Sequence, residues 1–124
     1  MCNTDFTKKV LGRKGEDVAA SFLERHGCRI VARNYRGRAG EIDIIVEEAG
    51  PTVRFVEVKT RTSDCCGTPA EAVTYGKQAR IRRTALQWLD GVAPRFYDGL
   101  AFDVIEVRVF QGRAYIRWLK DCFF

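Results

Sequence analysis

The chain has 124 residues, 46% of them hydrophobic and 30% charged, with a net charge of +5. That length suits one domain with a core of its own, and the composition excludes a disordered or fibrous chain. The basic excess favours a polyanionic partner without selecting one.

Residues 1–11 read as a flexible, basic lead-in with no apolar run, so no secretory signal is expected there. No other stretch is long enough to cross a bilayer. Five cysteines, at 2, 28, 65, 66 and 122, form no CxxC pair, and His26 is the single histidine. A zinc site is therefore not expected, and a reduced, cytoplasmic protein is.

From Gly12 to about His26 the pattern is helical. Val18 with Phe22, and Ala19 with Leu23, have the spacing of one apolar stripe. His26 falls in the last turn and Gly27 suits a left-handed cap, so His26 reads as a helix-end residue rather than a base. A strand is expected at 28–35, then a turn through "RGRAG" and a second strand in "EIDIIVEE". "AGPT" turns the chain into "VRFVEVKTR", making residues 40–61 a hairpin. A loop at 62–69 carries Cys65 and Cys66.

A second helix covers about 76–90, with Ile81, Ala85, Trp88 and Leu89 as its buried stripe and Gly91 and Pro94 ending it. Strands at about 101–109 and 113–119 follow. Residues 12–124 thus read as a single domain in which a sheet packs against helices.

The charged residues of the hairpin pose the central question. Phe55, Glu57, Lys59 and Arg61 share one strand face, and Val56, Val58 and Thr60 the other. In the preceding strand Glu41 and Asp43 lie with Ile45, opposite Ile42, Ile44 and Val46. If Ile45 pairs with Phe55, Asp43 opposes Glu57 and Glu41 opposes Lys59. A slip of two residues sets Asp43 against Lys59 and Glu41 against Arg61, which makes ordinary cross-strand ion pairs. A slip of one would turn a core face outward.

The first register opposes two carboxylates and calls for a cation between them; Mg²⁺ suits such oxygens. Glu16, which precedes Ala19, Ala20 and Leu23, projects toward the packed side of the first helix and could join them. It could equally be a first-turn acid favoured by the helix dipole. On the residues alone, metal-site and structural readings stand even.

Asp43 followed by Glu57-Val58-Lys59, with Glu16 on a preceding helix, resembles the PD-(D/E)XK nuclease superfamily. More closely, the chain resembles the YraN family of uncharacterised bacterial proteins, related to archaeal Holliday-junction resolvases. "GRKGE", "NYRGRAGEIDII", "FVEVKTR", "GKQARI", "ALQWL" and "FDVIEV" carry the likeness, in order, over nearly the whole chain. Ile42, where the superfamily motif has proline, departs from it.

The resemblance implies an α/β fold with a restriction-endonuclease-like αβββαβ core, a mixed central sheet flanked by helices. It also implies Mg²⁺ or Mn²⁺ held by Asp43, Glu57 and the Val58 carbonyl, with Glu16 completing the site and Glu41 as an accessory acid. Lys59 would position water or stabilise charge on phosphate. The implied activity is metal-dependent endonucleolytic hydrolysis of DNA, with a non-catalytic nucleic-acid binding module as the alternative. A homodimer is left open, since resolvases act as dimers.

For a nucleic-acid track the candidates are Arg36, Arg38, Arg61, Lys77 and Arg80, with Lys77, Arg80 and Arg83 read as facing away from the Ile81–Trp88 stripe. Arg82 and Arg83 read individually as solvated. Trp88 and Phe22 have core spacing, Trp118 is open, and Asp103 reads as structural. No run of exposed aromatics suggests stacking with single strands.

Overall fold

The computed structural model describes residues 8–62, 74–92 and 97–123. Seven elements follow in the order α1 (Lys8–Arg25), β1 (Arg29–Arg36), β2 (Glu41–Glu48), β3 (Thr52–Thr62), α2 (Tyr75–Gly91), β4 (Gly99–Phe110) and β5 (Arg113–Phe123). The strands form one sheet in chain order. Its neighbours are antiparallel except β3 and β4, which run parallel and are joined through α2. The expected αβββαβ order is thus met by α1 through β4, with β5 added at the edge of a mixed α/β sheet.

Each helix seals one face. On one side Ala19, Ala20 and Leu23 of α1 pack on Ile44, Val46, Val56, Ile105 and Val107. On the other, Ile81, Ala85 and Trp88 of α2 pack on Ile45, Phe55, Phe102, Val104 and Phe123. The central strands are therefore apolar on both sides for part of their length, as parallel-type layers require. Trp88 lies in this core and Phe22 packs at the edge of the other, as their spacing predicts.

Several expectations change. Helix α1 begins at Lys8, not Gly12, so Glu16 lies two turns inside it and the first turn holds no acid. The dipole explanation of Glu16 fails for that reason. At the other end Gly27 has φ of 88°, and His26 Nδ1 lies 2.8 Å from the Phe22 carbonyl oxygen with the two rings stacked. Residues 1–7, Cys65, Cys66 and Pro94 lie outside the described residues.

Ile45 does pair with Phe55, so the register that opposes Asp43 to Glu57 is the one adopted. The β2–β3 pairing ends at Ile44–Val56; beyond it the Val58 N–H donates to Asp43 Oδ2 at 2.8 Å. Past this point strict alternation breaks, and Ile42 joins the α2 core instead of sharing a face with Ile44 and Val46.

Asp103 is structural. Its fully buried carboxylate accepts from Arg54 at 3.1 Å, Trp118 Nε1 at 2.9 Å and the Asp121 N–H at 2.9 Å. Trp118 is thereby settled as well: it is half-buried, its ring edge-on to Phe22.

Candidate functional site

A cavity of 190 Å³ opens at the point where β2 and β3 part beneath the start of α2. Gly40, Glu41, Asp43, Glu57, Lys77, Arg80 and Ile81 line it. The hairpin brings Asp43 and Glu57 there, the turn before β2 brings Glu41, and the first turns of α2 bring the two cations. Thr74 caps that helix, its hydroxyl accepting from the Lys77 N–H at 3.3 Å.

Asp43 is the most perturbed group of the site. Burial first, then the negative charge of Glu57, push its carboxyl up to about 7, against the pull of the Val58 N–H. Glu16 and Glu41 add to the rise. Glu57 is itself buried, and Lys77 Nζ lies 2.6 Å from its Oε2, with Lys59 Nζ at 3.5 Å. Burial, then the neighbouring Lys77, lower the Lys59 pKa. Lys77 goes the other way: burial is the largest single influence and opposes its charge, but the bond to Glu57, the neighbouring Lys59 and the charges of Glu57 and Asp43 together raise the pKa.

Lys77 therefore does not face solvent away from the apolar stripe. It lies one turn before Ile81, hence on the same side of α2, and reaches the sheet. Arg80 is exposed at the rim of the cavity. Arg36 pairs with Glu41, Nε to Oε2 at 2.7 Å, so Glu41 does not meet Lys59. Arg38 is exposed, and its backbone N–H donates to Gln87 Oε1 at 2.9 Å. Arg61 is half-buried, with Nε 3.1 Å from Glu106 Oε2. Arg82 is half-buried with its guanidinium 6.0 Å from the Phe123 ring centre, while Arg83 is exposed as expected.

Glu16 is half-buried and does not line the cavity. Burial raises its pKa, offset by a hydrogen bond from Asn34 and the charge of Arg33. Among the described residues no three acidic, histidine or cysteine side chains stand close enough to grip an ion as arranged. The donor pair nevertheless fits a hard divalent cation. Two carboxylates meet on one hairpin, one of them pushed up to about 7 by burial and then by the charge of the other, beside room for retained water.

Residues that pattern reading passed over hold this geometry. A Cβ on Gly15 would stand 1.9 Å from Thr60 Oγ1, so only glycine lets α1 approach β3 beside Lys59. A Cβ on Gly37 would stand 2.2 Å from Gln87 Oε1, which clamps the turn before β2 to α2. The small residues in "GRKGE" and "RGRAG" were visible in the sequence, but their partners were not.

Residues 15–107 match the model of the Uncharacterised protein family UPF0102. A UPF0102 protein of Nocardia farcinica is 49% identical over 120 residues, covering 94% of this chain and 91% of that one. One from Geobacter metallireducens is 50% identical over 106 residues, 85% of this chain and 84% of the relative. Among solved structures, Pyrococcus furiosus SfsA in complex with Ca²⁺ shows a TM-score of 0.36 and 15% identity, over 89% of this chain and 62% of that one. The family model and the identity to these relatives agree with the resemblance to the YraN family: the chain belongs to the UPF0102 family.

Proposed function

We propose that the chain is a metal-dependent endonuclease of PD-(D/E)XK type, a distant relative of the Holliday-junction resolvases, that hydrolyses phosphodiester bonds in DNA. The observation that carries this reading is the meeting of Asp43 and Glu57 just past the last rung of the Ile45–Phe55 register, in a polar cavity shared with lysine and arginine. A purely structural hairpin would take the slipped register, in which acids meet bases.

Asp43 and Glu57, with the Val58 carbonyl, would hold Mg²⁺ or Mn²⁺, which supplies Lewis acidity and a more acidic water. Lys59, its pKa already lowered, is placed beside Glu57 to orient water or meet charge on phosphate. Lys77, now on Glu57, is free to transfer to a phosphate once another cation takes the carboxylate. Glu16 reaches the site only through water or a shift of α1. Arg36, Arg38 and Arg80 flank the cavity as phosphate contacts, and a homodimer would duplicate the site for branched substrates.

Purified protein with Mn²⁺ or Mg²⁺ is to be tested against plasmid, branched and single-stranded DNA, and against RNA. Cleavage should fall on the order of 10²-fold or more in Glu57→Gln and in Lys59→Ala. Cleavage unchanged by either substitution would refute the assignment.

One observation favours a second reading, a nucleic-acid binding module without catalysis: the Lys77 ammonium already neutralises Glu57. Salt-sensitive DNA binding with no cleavage under any divalent ion would select it.

A further inference from the structure

Beyond Glu57 the α2-side face of the sheet continues past the end of the helix, and its residues form cross-strand rows. Lys59 pairs with Glu106, and Glu106 with Arg117. In the next row Arg61 pairs with Arg108, and Arg108 with Tyr115. Among the described residues Lys59, Arg61, Arg108 and Arg117 thus share this face with Glu106 and with Glu57, whose Oε2 lies 3.5 Å from Lys59 Nζ. Glu106 is 3% exposed, with Arg61 Nε at 3.1 Å and Arg108 at 3.3 Å. Arg61 and Arg108 stand directly opposite each other, an arrangement that is unfavourable without an anion. Glu106 fixes both guanidiniums, and among the described residues the cations of this face outnumber its acids.

The edge strand adds aromatic surface. Arg113, Tyr115 and Arg117 alternate on this face of β5, each about 6.8 Å from the next. All three are exposed, and Tyr115 is 52% accessible despite its size. Tyr115, Arg108, Arg117, Ile116 and Glu106 line an open hollow of 290 Å³. A tyrosine between two arginines, beside a buried acid that anchors a third, is well suited to an unpaired base with its flanking phosphates. A duplex offers no exposed base face to such a ring.

We infer that this β3–β4–β5 surface is a binding site for single-stranded nucleic acid, with Tyr115 stacking on a base and Arg61, Arg108 and Arg117 on the backbone. It rests on the nucleic-acid reading above and deepens it, because the rows run straight from Lys59. Strand that leaves the cavity would pass over Tyr115, which gives the protein a preference for junctions or ends with unpaired nucleotides.

The test is fluorescence anisotropy in EDTA with a labelled oligothymidylate of about 20 nucleotides and a blunt duplex of equal length. The parent should prefer the oligothymidylate. Tyr115→Ala should weaken that binding roughly tenfold and leave the duplex unchanged. Arg117→Ala should weaken both and lower the salt slope on the oligothymidylate by about 0.7. Duplex preferred by the parent, or Tyr115→Ala binding like the parent, overturns the proposal. Parallel cleavage assays with Mn²⁺ separate the two readings. Cleavage without a Tyr115 effect removes this surface alone, and a Tyr115 effect without cleavage removes the nuclease alone.

Discussion

Two buried aspartates, Asp103 in β4 and Asp43 in β2, share a residue type and a raised pKa, and differ in company. At Asp103 burial alone drives the rise among the larger influences; the Asp121 N–H, the Trp118 indole and Arg54 all act to keep it charged. At Asp43 burial is reinforced by Glu57, Glu16 and Glu41, and one backbone N–H resists. The first is closed by its own chain. The second is left short of positive charge in a cavity open to solutes, and such local conflict is typical of sites retained for use rather than stability.

The contrast is sharpest when each acid is removed. Asp103→Ala takes the shared acceptor from Trp118 Nε1, the Asp121 N–H and Arg54, which keeps Glu48 at 2.8 Å, and should cost about 3 kcal/mol in urea unfolding. Asp43→Asn should have the opposite sign, stabilising chelator-treated protein at pH 8 by roughly 2–4 kcal/mol while its amide oxygen still accepts from Val58.

The pH dependence follows from the raised carboxyl. In the metal-free folded chain Asp43 holds its proton up to about pH 7, whereas the unfolded chain releases it near 3.8. Its stabilising contribution is complete below the lower value and disappears as pH rises through the higher one. Parent and Asp43→Asn should therefore unfold alike near pH 4 and diverge by pH 7; parallel curves across that window would remove the electrostatic argument.

Smaller effects probe the frame around the pair. Gly15→Ala forces α1 away from Thr60 and should cost about 1–3 kcal/mol, with lower affinity for Mn²⁺ in calorimetry if helix and cavity are coupled. Arg36→Ala breaks an exposed pair with Glu41 and should alter stability by less than about 0.5 kcal/mol.

The order of elements was legible because two-residue and 3.6-residue periods separate cleanly in this chain, and the hairpin register was narrowed to two choices by the cost of exposing a core face. What decided between those choices is not local. Glu57 meets Lys77 from a helix 20 residues further along the chain, and Glu41 meets Arg36 across the preceding turn. The charge of Lys77 suggests the outer side of α2, but its spacing from Ile81 points inward, and phase prevails because Glu57 meets the ammonium there. The early start of α1 escaped notice because "KKVLGRKG" carries no clear apolar stripe, so tertiary contact at Gly15 had no sequence shadow. Tyr115 was hidden for a similar reason, since an edge strand's outer row becomes a surface only once its neighbours are aligned.

The Val58 amide reaches across the parted strands to the Asp43 carboxylate. One oxygen of that carboxylate thus substitutes for a missing rung between two strands, and its sister is the one left with both lone pairs for an incoming guest. The grip offered is single-pronged, and its direction is set by the backbone before anything arrives.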